Sequence, residues 1–169
     1  MSAKITTRMI DRRYKAEIDR YYALDKSFVV AGFPATETPG NAVKKGSGHE
    51  PATEMAKVVE IAAIHEFGCP ARNIPQRSFF RPAIDKASPS VRDMKPVLLN
   101  KILDGKMTIR TGLSVIGEFV VSKIKNEIRT GTFAPLAPST IARKGSDKPL
   151  IDTAQMINSI SYVTHAGGK

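Results

Sequence analysis

The chain has 169 residues, of which 26 are Lys or Arg and 16 are Asp or Glu, giving a formal charge of +10. That length fits a single domain, and 41% apolar residues with only 7% aromatic ones predict a largely aliphatic core. A single cysteine excludes an internal disulfide bond, and the sequence has neither an apolar run of roughly 20 residues nor an apolar signal segment at its start. We therefore expect a soluble, cytoplasmic, basic protein without membrane contact, and the charge raises the question of nucleic-acid binding.

A helix and a short strand are the first elements predicted. Between residues 5 and 24 apolar side chains recur at steps of three and four, which is typical of an amphipathic helix. Residues 27–33 (SFVVAGF) contain β-branched and aromatic side chains and precede Pro34, so they predict a strand. Residues 34–53 are rich in Gly and Pro and contain almost nothing that could be buried, which predicts a long flexible loop.

Helices interrupted by prolines are predicted for the middle of the chain. Residues 55–67 combine β-branched and helix-forming side chains, and we expect a strand that passes into a helical turn. Residues 70–82 form a basic connector bounded by prolines. Ser88 and Pro89 have the residue types of an N-cap and a first helical position, which predicts a helix from there to residue 103 with a kink at Pro96.

The clearest helix covers residues 107–129. Its apolar residues recur at steps of three and four: Ile109, Leu113, Ile116, Val120, Ile124 and Ile128. Further on, Asp152 and Gln155 have the spacing of a helix N-cap and its reciprocal partner, and residues 160–163 alternate as in a strand.

Together these elements predict an α+β fold in a single domain covering residues 1–169. Short strands at both ends of the chain would form a small antiparallel or mixed sheet packed against long amphipathic helices. The loop at 34–53 and the C-terminal residues 165–169 are expected to be flexible.

No credible active site appears in the sequence. His65 and Cys69 lie four residues apart, so they would share one face of a helix and could hold a metal ion or form an activated thiol. Zinc needs three or four ligands, however, and the second histidine of a helix-borne zinc motif is absent. We therefore expect no enzyme and no cofactor, with a His65–Cys69 enzyme kept as an alternative.

The positive charge is spread evenly along the chain. Residues 1–100 contain 16 basic and 11 acidic side chains, and residues 101–169 contain 10 and 5, so each part carries +5. This even spread argues against a separate basic tail. Two clusters could still concentrate charge on one helix face: Arg8, Arg12 and Arg13, and Lys123, Lys125 and Arg129. A basic nucleic-acid-binding module is therefore the alternative function.

Two stretches resemble a known protein family. The first lies in residues 61–82 and contains IAAIHEFG and IPQRSFFRP, and the second, residues 131–161, reads GTFAPLAPSTIARKGSDKPLIDTAQMINSIS. Both are similar to the tail-completion and virion-morphogenesis proteins of tailed bacteriophages, which are small neck proteins at the head–tail junction. With the helix between them they cover about residues 55–164. The family commonly has Gly at the position of Ala154, and the Ala predicts a more regular start of the following helix.

The resemblance implies a non-enzymatic structural protein of the virion, assembled in the host cytoplasm and located at the head–tail junction. It would form a homo-oligomeric ring, expected to be a hexamer, that completes or terminates the tail. Its partners would be the head-completion (stopper) protein and the tail tube or tail terminator protein. Genomic DNA would pass through the lumen without being recognised by sequence.

Residues of both stretches and of the flexible loop are the expected assembly interface. Pro135, Pro138 and Pro149 would fix an extended path, with Leu136 and Leu150 as its apolar anchors. Arg143, Lys144 and Lys148 on the following Gly-Ser loop could contact acidic surfaces or phosphates, and the alternative is a rigid connector whose charge only promotes solubility. The full set of interface candidates is Lys44, Lys45, Phe79, Phe80, Arg81, Leu136, Arg143, Lys144, Lys148, Leu150 and Asp152.

Overall fold

The computed structural model describes residues 12–33, 51–151 and 154–167. Its helices are α1 (Arg12–Asp25), α2 (Pro51–Phe67), α3 (Phe80–Leu103), α4 (Ile109–Thr130), α5 (Pro138–Lys144) and α6 (Gln155–Ser159), with a 3-10 turn at Pro70–Arg72. The strands are β1 (Phe28–Gly32) and β2 (Ser161–His165). Strands near both ends of the chain, with long helices between them, confirm the predicted α+β fold.

β1 and β2 form a two-stranded antiparallel sheet. Phe28 pairs with His165, and their rings stack with centroids 4.5 Å apart. One face of the sheet packs against α4. Gly117 permits this contact, because a Cβ atom there would lie 2.5 Å from the ring of Tyr162 and 3.0 Å from the side chain of Val29. A small residue on α4 therefore sets how closely the sheet approaches the helix.

The hydrophobic core lies where α2, α3, α4 and α6 meet. α4 covers almost the residues that the apolar stripe predicted, and its Ile124 and Ile128 are 0% and 2% exposed. Thr108 caps this helix, since its side chain accepts a hydrogen bond from the N–H of Thr111 at 3.1 Å. The largest fully buried side chains are Phe79, Ile124 and Ile160.

The strand predicted within residues 55–67 is wrong, because the whole segment belongs to α2. Val58 and Ala62 are buried, and Glu66 follows at the same step of four, so the segment buries one helical face. Packing of that face against the core outweighs the preference of the valines for strands.

α3 is one continuous helix, although the sequence predicted a new helix beginning at Ser88. Pro89 and Pro96 both lie inside α3 and are exposed. They are seven residues apart, so they share a face of the helix, and water can hydrate the carbonyl groups that they leave without an N–H partner. The exposed position of both prolines makes an uninterrupted helix possible.

The segments predicted to be flexible are partly ordered. Residues 51–53 belong to α2, and residues 34–50 lie outside the described part of the chain. At the other end, His165 pairs in β2 and the N–H of Gly167 donates to Oγ of Ser27 at 2.8 Å. The prediction of a flexible tail is therefore wrong for residues 165–167.

α6 begins later than predicted and follows a strained residue. Gln155 is its first residue, so it cannot be the reciprocal partner at the third helical position. Asp152, the predicted cap, lies outside the described residues. The N-cap position belongs to Ala154, whose φ of 58° is in the left-handed region. Ala154 thus strains the helix start, which contradicts the prediction that an alanine here makes the start more regular.

Candidate interaction site

The buried carboxylate of Glu66 caps the N-terminus of α3. Glu66 is 8% exposed and accepts hydrogen bonds from Ser78 Oγ (2.6 Å) and from the N–H groups of Phe79 (2.9 Å), Phe80 (2.9 Å) and Arg81 (3.2 Å). The helix receives no side-chain hydrogen bond from its own N-cap residue, Phe79. Glu66 therefore satisfies donors that a helix leaves unpaired and places a negative charge at the positive end of the helix dipole.

The pKa of Glu66 lies below its ordinary value. Burial acts in the opposite direction and raises this pKa. The hydrogen bonds from Ser78 and from the backbone of Phe80, Phe79 and Arg81 together outweigh burial, because they favour the ionised carboxylate. The cap is therefore charged at neutral pH.

Arg77 connects the two stretches that carry the resemblance. Its side chain is 5% exposed and donates from Nε to the carbonyl oxygen of Ala134 (2.7 Å) and from Nη2 to that of Pro135 (2.8 Å). Its backbone N–H donates to the carbonyl oxygen of His65 at 2.8 Å. Hydrogen bonds from a charged donor are stronger than neutral ones. Residues 61–82 and the described residues of 131–161 therefore belong to one structural unit.

An open cleft of about 990 Å³ lies beside this unit, between α2, the segment after the 3-10 turn, α5 and the beginning of α6. Its apolar lining includes Val58, Ile61, Ile74, Leu136, Leu150 and Met156. The described residues of the lining include no Asp or Glu but contain four cations: Arg72, Arg77, Arg143 and Lys144. The described part of the lining is therefore apolar and positively charged.

His65 also lines the cleft. Its Nδ1 atom is buried and has no hydrogen-bond partner among the described residues. Burial lowers the pKa of His65, and the positive charges of Arg77 and Lys144 lower it further, so the ring is neutral at pH 7. Cys69 lies beyond the end of α2, and its backbone forms an isolated antiparallel β-bridge with Ile74. This contradicts the prediction that Cys69 shares a helix face with His65.

The structure distributes the predicted interface residues among three environments. The cleft brings together Leu136, Arg143, Lys144 and Leu150. Two candidates are core residues that offer little surface to a partner: Phe79 is 1% exposed and Leu150 is 8% exposed. Phe80 is half-buried, whereas Arg81 and Lys148 are exposed. Three candidates lie outside the described residues: Lys44, Lys45 and Asp152.

One exposed surface of the sheet is largely apolar. The face of the sheet turned away from α4 carries Phe28 and Val30, which are 53% and 46% exposed, and their partners His165 and Val163. Residues directly opposite each other in an antiparallel pair project from the same face. These four residues are called the outer sheet face below.

Comparison with known proteins adds no relative. No protein-family profile, curated protein or solved structure matches the chain. Within the described residues there is no group of three or more His, Cys, Asp or Glu placed to hold a metal ion. No helix among those residues is long and apolar enough to cross a membrane.

Glu66 and Arg77 are the structural residues that the sequence analysis missed. One signal could have led to Glu66. Pro82 lacks an N–H group and fits best in the first turn of a helix, where that group would be unpaired anyway, so it favours a helix beginning near Phe80. Phe79 has no side-chain acceptor to cap that helix, so a helix start buried from water needs an acceptor from elsewhere in the chain. Arg77 has no comparable signal, because its acceptors are backbone carbonyl groups.

Proposed function

We propose that this chain is a structural protein of the bacteriophage neck. It forms a ring that completes or terminates the tail and joins it to the head-completion ring. The observation that carries this proposal is the hydrogen bonding of Arg77 to Ala134 and Pro135, which unites the two stretches that resemble tail-completion proteins. A resemblance confined to two unconnected segments would be weaker support than one that covers a single packed unit.

The outer sheet face supports self-association. Exposed apolar patches mark interaction sites, and this one lies on a sheet of only two strands. Both strands also have an edge without a strand partner in the described structure. In the proposed ring the outer sheet face contacts a different surface of the neighbouring subunit, because closed rings of one chain use such head-to-tail contacts.

The second candidate is a nucleic-acid-binding module, and α4 provides the observation that favours it. Lys125 and Arg129 lie four residues apart on α4, so the two cations share one face of the helix. Burial lowers the pKa of Lys125, and the positive charge of Arg129 lowers it further. A salt titration distinguishes the candidates. A DNA-binding module loses affinity for duplex DNA steeply as salt increases, whereas a single ring subunit has little affinity to lose.

Position in the particle is the direct test of the proposed function. Purified phage particles are treated with gold-labelled antibodies against the chain and imaged by electron microscopy. We expect gold only at the junction between head and tail. Gold along the tail tube, gold on the capsid surface or an absence of the chain from particles would contradict the proposal.

A further inference from the structure

We propose that the cleft binds an extended peptide segment of a partner protein, with aliphatic side chains and carboxylates. Its volume of about 990 Å³ is at the upper end of the roughly 300–1,000 Å³ typical of ligand pockets. Binding in this cleft does not depend on whether the chain forms a ring in a phage neck, so the two proposals can fail separately.

Aliphatic side chains on the partner match the lining of the cleft. Ile61 is 48% exposed although it lies on a concave surface, and Ile74 and Leu136 are half-buried. An aliphatic side chain placed against them removes apolar surface from water on both partners, which favours binding.

Carboxylates match the charge of the cleft. Arg72 and Arg143 are exposed on the lining, and Lys144 is half-buried there. Arg77 donates to neutral carbonyl groups, which leave its charge in place. No described acidic residue of the lining offsets these cations. Complementary charge favours an acidic partner and increases its association rate.

The same lining favours a peptide over a nucleic acid. Duplex DNA presents phosphates on a broad surface and contributes little aliphatic area to a pocket. An extended peptide can place carboxylates beside the cations and aliphatic side chains on the floor of the same cleft. Binding of duplex DNA is therefore an outcome that the experiment must be able to report.

The test begins with a selection from a random 12-residue peptide library on the full chain. We expect the selected peptides to be enriched in aliphatic and acidic residues. One of them, labelled with fluorescein, is then titrated with the chain and its variants. Ile61→Glu places a negative charge on the lining and is expected to weaken binding at least tenfold.

Val59→Glu is the matched control, because Val59 is 41% exposed on the same helix but outside the lining. The affinity of this variant for the labelled peptide should stay within about twofold of that of the unmodified chain. Arg143→Gln removes one exposed cation of the lining and should weaken binding about threefold to tenfold. Arg92→Gln, exposed on α3, should have no effect. Circular dichroism spectra confirm that every variant is folded.

Three results would overturn the proposal. The first is a selection that yields no sequence preference or yields basic peptides. The second is equal binding of the selected peptide by the Ile61→Glu and Val59→Glu variants. The third is displacement of the peptide by a 20-base-pair DNA duplex whose own binding is lost in Arg143→Gln, because this would make the cleft a nucleic-acid site.

Discussion

At the scale of single residues, two buried charged groups bond to groups distant in sequence: Glu66 caps α3 within residues 61–82, and Arg77 joins that stretch to Ala134 and Pro135. Glu66 bonds to groups 12 to 15 positions away, and Arg77 to carbonyl groups 57 and 58 positions away. Buried groups of this kind are costly to leave unpaired. Removing the charged side chain of Glu66 or of Arg77 should therefore lower stability more than most surface substitutions do.

Replacement of Glu66 by Gln should destabilise the fold by about 1–3 kcal/mol at pH 7, because a charged cap is replaced by a neutral one that accepts fewer hydrogen bonds. Glu60→Gln is the matched control, since Glu60 is exposed on the same helix. Urea denaturation measures the free energy of unfolding of both variants. A loss for Glu66→Gln no larger than that for Glu60→Gln would contradict the capping role.

The pH dependence follows from the lowered pKa of Glu66. A group whose pKa is lower in the folded state stabilises the fold above its ordinary pKa. This stabilisation is lost as the pH falls through the folded-state pKa. We therefore expect the free-energy difference between the unmodified chain and Glu66→Gln to shrink between pH 7 and pH 3. An unchanged difference at pH 3 would show that ionisation of Glu66 is not involved.

Ala154→Gly should stabilise the fold by about 0.5–1 kcal/mol. Relief of the left-handed strain at φ 58° exceeds the added entropy of a glycine in the unfolded chain. Ala63→Gly, at an exposed position inside α2, should instead destabilise by about 1 kcal/mol. Thermal unfolding of both variants measures the difference. A lower melting temperature for Ala154→Gly would refute the strain at the start of α6.

At the scale of helices and strands, the sequence predicts correctly those elements whose pattern lies within their own residues. α4 was found because its apolar stripe repeats over many residues. The strand predicted in place of α2 and the helix break predicted in α3 failed for another reason. Which face of α2 is buried, and whether Pro89 and Pro96 face water, depend on elements distant in sequence. The Glu66 cap and the cleft were missed for the same reason.

The contact between α4 and the sheet is tested by Gly117→Ala. An added Cβ would lie 2.5 Å from the ring of Tyr162, so helix and sheet must move apart, at a cost of about 1–3 kcal/mol. Arg110→Ala, exposed on the same helix, should change stability by no more than about 0.5 kcal/mol. Equal unfolding midpoints in urea for the two variants would show that the sheet does not depend on this close approach.

At the scale of the whole molecule, the charge of +10 has no single location. Part of it lines the cleft, and part lies on α4 at Lys125 and Arg129. This distribution fits a subunit that contacts acidic neighbours or lies near DNA, and it does not require recognition of a base sequence.

The outer sheet face gives the whole-molecule prediction for assembly. A chain carrying both Phe28→Ser and Val30→Ser should remain folded, because both side chains are about half exposed. It should nevertheless fail to restore infectious particles when supplied to a phage that lacks the gene, since the proposed subunit contacts would lose their apolar surface. Val97→Ser, 54% exposed on α3, is the control and should restore them. Normal yields with the double variant would exclude the outer sheet face from assembly.

The proposed role in joining heads to tails is tested most directly by negative-stain images of particles assembled without this chain. We expect DNA-filled heads and separate tails of normal length, with joined particles restored when the unmodified chain is supplied. Joined, infectious particles at normal yield in its absence would contradict a structural role in the neck.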